Sequence, residues 1–219
     1  MNRIIITSSE KKSTARTNRV LRNTYFLLFL TTLFSALTAT LSIFLNLPSP
    51  GFLVTIVGFY GLLYLTNKYS ETKKGIIATF SLTGFMGYTI SPLLKLVFYS
   101  NSYEIVLVAL FGTALVFLSC SLYLIITKKN MSFLTNTITA GFVVLVVCSL
   151  LNLFLHIPIF SLVISGMFII FSSITMLWEI SNIIHRGETN YVRATVNLYV
   201  SIYNLFVSIT NVLFGWKNN

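Results

Sequence analysis

The sequence predicts an all-α, polytopic membrane protein: a bundle of seven transmembrane helices with the last helix at its centre. Three observations predict it. First, the 219 residues are 55% hydrophobic and only 9% charged, whereas a soluble domain carries about 25% charged residues. Almost no chain is left over for a soluble domain. Second, apolar runs near the ~20 residues needed to cross a bilayer at ~1.5 Å per residue recur seven times. Third, the last run, Asn190 to Phe214, keeps its polar residues on one face. Arg193, Asn197, Ser201, Asn204, Ser208 and Asn211 are spaced 4, 4, 3, 4 and 3, which is one stripe along a helix. Polar side chains are costly in hydrocarbon, so this stripe faces other helices or a wet cavity. It reads either as interhelical glue, at about 0.6–2 kcal/mol per hydrogen bond, or as a functional pathway.

The elements follow in order. Residues 1–22 are polar and basic, with Arg3, Lys11, Lys12, Arg16, Arg19 and Arg22 against Glu10. Ser, Thr and Asn fill much of the remainder, which predicts a flexible cytoplasmic tail with little structure of its own. The apolar run after Arg22 is longer than the ~7–15 residues of a signal-peptide core and lacks a small-x-small cleavage site, so it reads as an uncleaved first span. The transmembrane domain covers 23–216, with spans near 24–46, 51–67, 75–98, 104–127, 133–155, 158–178 and 191–214. Pro48 and Pro50, NKYSETKKG, YSNSYE, TKKN, HIP and HRGETN separate them, and these are turn signals. The connections are short, so consecutive helices are antiparallel neighbours.

Orientation follows from the charges. With the N-terminus in the cytoplasm, the inside segments hold 13 of the 15 Lys and Arg residues, a strong positive-inside asymmetry. Only Lys95 and Lys217 fall outside. Seven crossings then place the C-terminus in the periplasm. The same distribution assigns the net charge of +10 to topology rather than to a nucleic-acid footprint.

Within the spans, Gly51, Gly58, Gly61, Gly84 and Gly87 permit close helix approach. Pro92 predicts a kink in the third span, and Lys95 reads as an anchor that snorkels to the outer headgroups. The sixth span carries a second stripe: Ser172, Thr175, Glu179, Asn182 and Arg186, spaced 3, 4, 3 and 4. Glu179 is the one acid placed below the cytoplasmic surface, and an acid there needs a cation or a proton. Arg193 is its obvious partner in topology, and Arg186 a second. Three readings stand for Glu179: an ion pair that fixes register, a proton or cation sensor, or a snorkelling side chain. The two stripes, joined by a short loop, predict that spans six and seven pack along their polar faces.

Several chemistries are excluded. The chain contains no Asp, so no aspartyl mechanism can operate. No HExxH helix occurs. His156 and His185 fall on opposite sides of the membrane, too far apart to serve one site. No glycine-rich phosphate loop is present. Cys120 and Cys148 lie inside spans without metal-ligand spacing and read as small buried hydrophobes. The sequence reads as that of a protein that is not an enzyme, with no cofactor and no metal centre.

The segment GIIATFSLTGFMGYTISPLL, followed by Ala109, Thr113, Ala114 and Phe117 in an A-x-x-x-T-A-x-x-F pattern, resembles the signature of the Bax inhibitor-1 family. One departure is Ser91, where the family usually has glycine before the proline. LRNTYFLL, LPSPGFLVTIVGFYGL, GTALVF, MSFL, SNIIH and GETNYVRATVNLYVSIYNLFVS are similar to one bacterial inner-membrane branch of that family. The likeness covers essentially the whole chain.

The resemblance implies a seven-helix bundle with a central last helix and one of two activities. The bacterial branch implies binding to a membrane-anchored AAA protease of the FtsH type and to its HflK and HflC regulators. The tail, with Lys11, Lys12, Arg16, Arg19 and Arg22, would then be the segment that the protease engages. Other family members imply a pH-dependent Ca²⁺ leak gated by two facing carboxylates on the last two helices. The first carboxylate falls on Glu179. The second falls on Ser201, a hydroxyl where the leak-type members have an acid, so one half of the Ca²⁺-binding pair is absent. Arg193, Asn197 and Asn204 complete the candidate ion- or proton-sensing set.

Overall fold

A computed structural model describes residues 2–155, 157–185 and 187–218, without the side chains of 2–14 and 218. Seven helices are present among the described residues: α1 (Asn2–Phe44), α2 (Phe52–Tyr69), α3 (Lys73–Tyr99), α4 (Tyr103–Thr127), α5 (Leu134–Leu155), α6 (Pro158–Ile184) and α7 (Tyr191–Asn218). Asn46, Asn101 and Lys128 take positive φ in the turns that follow α1, α3 and α4. Asn enters that conformation at low cost because its short side chain bonds locally.

Six of the seven helices are long and apolar enough to cross a membrane. The seventh expected span, α2, falls short of that description. It has 18 residues, and it ends in Asn67, Lys68 and Tyr69. Its apolar part, Phe52 to Thr66, covers only ~22 Å at 1.5 Å per residue. Two boundaries also differ from the sequence reading. α1 continues back to Asn2, so the segment expected to lack structure is helical. No Gly or Pro occurs between residues 1 and 47, and without a breaker the helix of the first span extends into the tail. α6 runs to Ile184 rather than 178, which places Glu179 inside the helix.

The tightest approach joins α1 and α3. A Cβ on Gly87 would overlap the Ser35 carbonyl of α1, so only glycine fits there. Pro92 lies inside α3 and cannot donate to the Tyr88 carbonyl. The Ser91 hydroxyl donates to that carbonyl instead, at 2.8 Å, and also meets Ser42 of α1 at 2.8 Å. The serine that replaces the family glycine therefore repairs the gap the proline makes. Lys95 donates to the Leu47 carbonyl in the connection between α1 and α2, at 3.2 Å.

α7 packs against α1, α2, α3, α4 and α6, and no residue from Tyr191 to Gly215 is exposed. α5, by contrast, packs against α6 alone among the described residues. Large apolar side chains such as Phe29, Leu37, Phe111 and Phe154 point outward, as expected where the solvent is lipid. Close to α7 the core is built from Leu82, Met86, Leu124, Ile180, Ile183, Val196 and Leu198.

Candidate functional site

α6 and α7 run antiparallel, and their polar stripes pair at constant register. Ser172 lies opposite Asn204, Thr175 opposite Ser201, and Glu179 opposite Asn197. Each step is one helical turn, so the pairs stack along one seam. The Thr175 and Ser201 hydroxyls meet at 3.1 Å. All six residues line one cavity of about 560 Å³. α2 contributes Thr55 and Phe59 to its wall, α3 contributes Met86 and Thr89, and α5 contributes Phe142. Tyr203 of α7 lines it too, with its hydroxyl 2.9 Å from that of Thr89.

Glu179 is 7% exposed. The Asn197 side chain faces its carboxylate closely enough to interact with it. Its Oε2, however, is buried without a hydrogen-bond partner, as is the Ser172 hydroxyl oxygen. A carboxylate in this state is strongly disfavoured as an ion unless a cation or a proton completes it.

The cation expected for that role is not there. Arg193 does not pair with Glu179. Its Nε donates to the Ser70 hydroxyl at 3.0 Å, and its guanidinium lies 4.0 Å from the Glu71 carboxylate. The register gives the reason. Glu179 is level with Asn197, and Arg193 stands one turn nearer the start of α7, level with Ile183. Its long stem reaches the α2–α3 turn, where the side chain stays 42% exposed, and it avoids the cost of burying its charge. Arg186, the second candidate, lies outside the described residues, as does His156. Among the described residues no ion pair to Glu179 is formed.

The sequence stripes thus converge on one cavity at Glu179, Asn197, Ser201 and Asn204. They miss at Arg193, which belongs to a surface contact. The tail residues Arg16, Arg19 and Arg22 are exposed on α1 and do not line the cavity. The side chains of Lys11 and Lys12 lie outside the described residues. Sequence reasoning did not find Thr55, Thr89 or Tyr203. Tyr203 had a signal, since it sits between Ser201 and Asn204, but an aromatic residue carries no weight in a stripe of amides and hydroxyls. Thr55 and Thr89 sit on other helices and had none.

Chemically, the cavity offers one carboxylate, two amides and several hydroxyls. It can hold a proton on Glu179 or give a cation a few neutral oxygen ligands, but it supplies little fixed charge. High-affinity Ca²⁺ sites use several carboxylates. Among the described residues no group of three or more His, Cys, Asp or Glu side chains gathers. Ser201 stands opposite Thr175, one turn from the level of Glu179, so the Glu179 carboxylate and the Ser201 hydroxyl face one space with a single acid between them.

Comparison with known proteins bears on this site. A family model described as "Inhibitor of apoptosis-promoting Bax1" matches residues 17–219. A protein of Escherichia coli strain K12 named "Modulator of FtsH protease YccA" is 51% identical over 97% of both chains. A counterpart from E. coli O6:H1, named "Inner membrane protein YccA", matches to the same extent. An uncharacterized protein of Pasteurella multocida is 50% identical over 91% of this chain and 90% of its own.

Proposed function

The chain belongs to the Bax inhibitor-1 family, and we propose that it is an inner-membrane regulatory protein that binds and restrains an AAA protease of the FtsH type. The observation that carries this reading is the 51% identity, over 97% of both chains, to a protein named as a modulator of that protease.

The physical logic is that of a client that is hard to extract. An AAA protease engages an accessible segment and pulls. Residues 2–22 form a helix of ~30 Å at 1.5 Å per residue, basic and free of long apolar runs, which suits an engagement handle. Behind it, each apolar span must leave the bilayer and expose its backbone polar groups before degradation can proceed. A chain that is seized readily and released slowly occupies the protease and slows the loss of other substrates. In this reading the N-terminus is cytoplasmic, the C-terminus is periplasmic, and the complex includes the HflK and HflC regulators. The protein acts by binding and not as an enzyme.

A chase in membranes tests the reading. The tagged chain is followed beside a known substrate of the protease, with residues 1–22 present or deleted. The full chain is expected to be degraded and to slow loss of the other substrate, while the truncated chain remains in the membrane and is long-lived. Equal turnover of the two forms removes the handle. No effect of either form on the protease removes the regulatory role.

A second reading rests on a different observation, the unpartnered Glu179 oxygen in the α6–α7 cavity. It is a pH-sensitive leak for Ca²⁺ or another cation, with Glu179 as the sensor and Asn197, Ser201 and Asn204 as its surroundings. Liposomes carrying the parent protein or Glu179→Gln decide it. Flux that loses its pH response in the variant supports the sensor, and absent or unchanged flux rules it out.

A further inference from the structure

On the face of α7 away from the polar seam lies a second cavity, of about 680 Å³, between α1 and α4. No Cα of α1 comes within 8 Å of one in α4 among the described residues, so the two helices leave a slot. α7 forms its floor through Tyr199, Ile202 and Phe206. We propose that this slot is a binding site for one acyl chain of an anionic membrane phospholipid, with the headgroup held at the cytoplasmic end by basic residues of α1 and α4.

The dimensions select the occupant. Along α1 the slot runs from Tyr25 to Ile43, which is ~27 Å at 1.5 Å per residue and close to the ~30 Å of a bilayer's hydrocarbon. A helix ~10 Å across occupies about 2,100 Å³ over that length, roughly three times the 680 Å³ of the slot, so a partner's transmembrane helix does not fit within it. At the cytoplasmic end the Tyr25 and Phe117 rings meet edge to face at 5.8 Å between centroids, which narrows the slot further. A flexible hydrocarbon chain fits this shape.

The chemistry agrees. Most of the lining is apolar. Three hydroxyls in the walls already have partners: Tyr199 donates to Ser35 at 2.6 Å, Thr113 to the Ala109 carbonyl and Thr40 to the Ala36 carbonyl. A polar ligand would find those groups occupied, and a wall hydroxyl left without a partner is that of Tyr25, at the cytoplasmic end. Ala36 and Ala114, on opposite walls, are both exposed to the slot, so it opens sideways to lipid and a chain can enter without any helix moving.

Charge selects the headgroup. Arg19 and Arg22 lie within two turns of Tyr25 on the cytoplasmic side, and Lys128 and Lys129 lie about three turns beyond Phe117, the last α4 residue in the slot's wall. All four are exposed. All four stand on the cytoplasmic side of Tyr25 and Phe117, the last residues that line the slot on α1 and α4. Basic residues at a membrane surface attract anionic lipid at ~1 kcal/mol each, or about fivefold in affinity.

Native mass spectrometry of the purified full chain, titrated with phosphatidylglycerol or phosphatidylcholine, tests the proposal. One phosphatidylglycerol is expected to remain bound to the parent. Ala36→Phe and Ala114→Phe fill the slot from opposite walls. Each is expected to lose that lipid while keeping the parent's melting temperature in lipid-free detergent, which shows the fold intact. Replacing Arg22 and Lys128 together with Gln is expected to weaken phosphatidylglycerol binding by about twenty-five-fold and to leave phosphatidylcholine unchanged. Retention of the lipid by both well-folded filled variants overturns the proposal. Equal binding of the two lipids by the parent overturns the headgroup assignment. Displacement of a co-purifying protein instead of a lipid overturns the choice of occupant.

Discussion

Replacing Gly87 by alanine tests the idea that α1 and α3 approach at backbone distance. The added Cβ would overlap the Ser35 carbonyl oxygen and the Thr38 hydroxyl, and would lie 3.0 Å from the Ser35 carbonyl carbon. Ordinary C···O contacts are ~3.3–3.6 Å. The obstacle is backbone, so no rotamer change relieves it, and the helices must part by about 1 Å. A gap of that size forfeits roughly a quarter to a half of each dispersion contact along the seam. Overpacking of this kind costs about 1–3 kcal/mol. The Ser42–Ser91 and Tyr199–Ser35 hydrogen bonds, at 2.8 and 2.6 Å, anchor α1 nearby, and stretching them costs about 0.6 kcal/mol each. Alanine returns about 0.8–1.0 kcal/mol of helix propensity over glycine. The net is a loss of roughly 1–3 kcal/mol. Gly84→Ala meets the Phe34 ring at 2.7 Å, but that ring is 38% exposed and swings toward lipid, so the variant is near neutral. Gly61 has nothing within 4 Å, and Gly61→Ala gains the propensity alone. Reversible unfolding by a denaturing detergent measures all three. The expected order is Gly61→Ala above parent, Gly84→Ala near it and Gly87→Ala well below. A Gly87→Ala protein as stable as the parent would refute the close approach.

Two further outcomes follow from the cytoplasmic loops. Ser181 of α6 accepts from the Met131 amide at 2.9 Å and donates to the Lys129 carbonyl at 3.2 Å, so it pins the α4–α5 connection. Ser181→Ala leaves both backbone groups unpaired at a cost of about 1–3 kcal/mol, and faster hydrogen exchange confined to 128–133 is the expected reading. Glu71 is 83% exposed and 4.0 Å from Arg193, so Glu71→Gln costs at most about 0.5 kcal/mol. Arg193→Ala also loses the 3.0 Å bond to Ser70, and thermal unfolding is expected to rank it clearly below Glu71→Gln.

The membrane class, the helix order and the polar seam are legible in the sequence because each is a one-dimensional signal. Hydropathy counts residues along the chain, and a stripe on a helix recurs every three or four positions. Spacing alone puts Ser172, Thr175 and Glu179 on one face of their helix, and Asn197, Ser201 and Asn204 on one face of the next. What failed needed a second helix. Arg193 shares the stripe with Asn197, but partnership depends on height as well as face, and height is set by where the α6–α7 loop starts the antiparallel register. The end of α6 at Ile184 instead of 178 shifts that starting point. The helical state of residues 2–22 escapes the sequence for another reason. Composition reports whether a segment can bury apolar surface, and it does not report that an adjoining span supplies a preformed helical turn on which the tail propagates without a new nucleus.

The slot between α1 and α4 has no sequence signal at all, because it is made by helices that fail to meet. Its floor nevertheless follows from the same stripe. Once Asn197, Ser201 and Asn204 turn one side of α7 toward α6, Tyr199 and Ile202 between them and Phe206 just after them must face the other way. α7 is therefore polar on one side and apolar on the other while no residue from Tyr191 to Gly215 is exposed. A buried helix of that kind separates two unlike spaces, one able to hold a proton or an ion and one able to hold hydrocarbon. Tyr203 lines both, and its hydroxyl is held by Thr89 on the polar side at 2.9 Å. Any rotation of α7 that opens one space must act on the other, because a single rigid helix forms a wall of each.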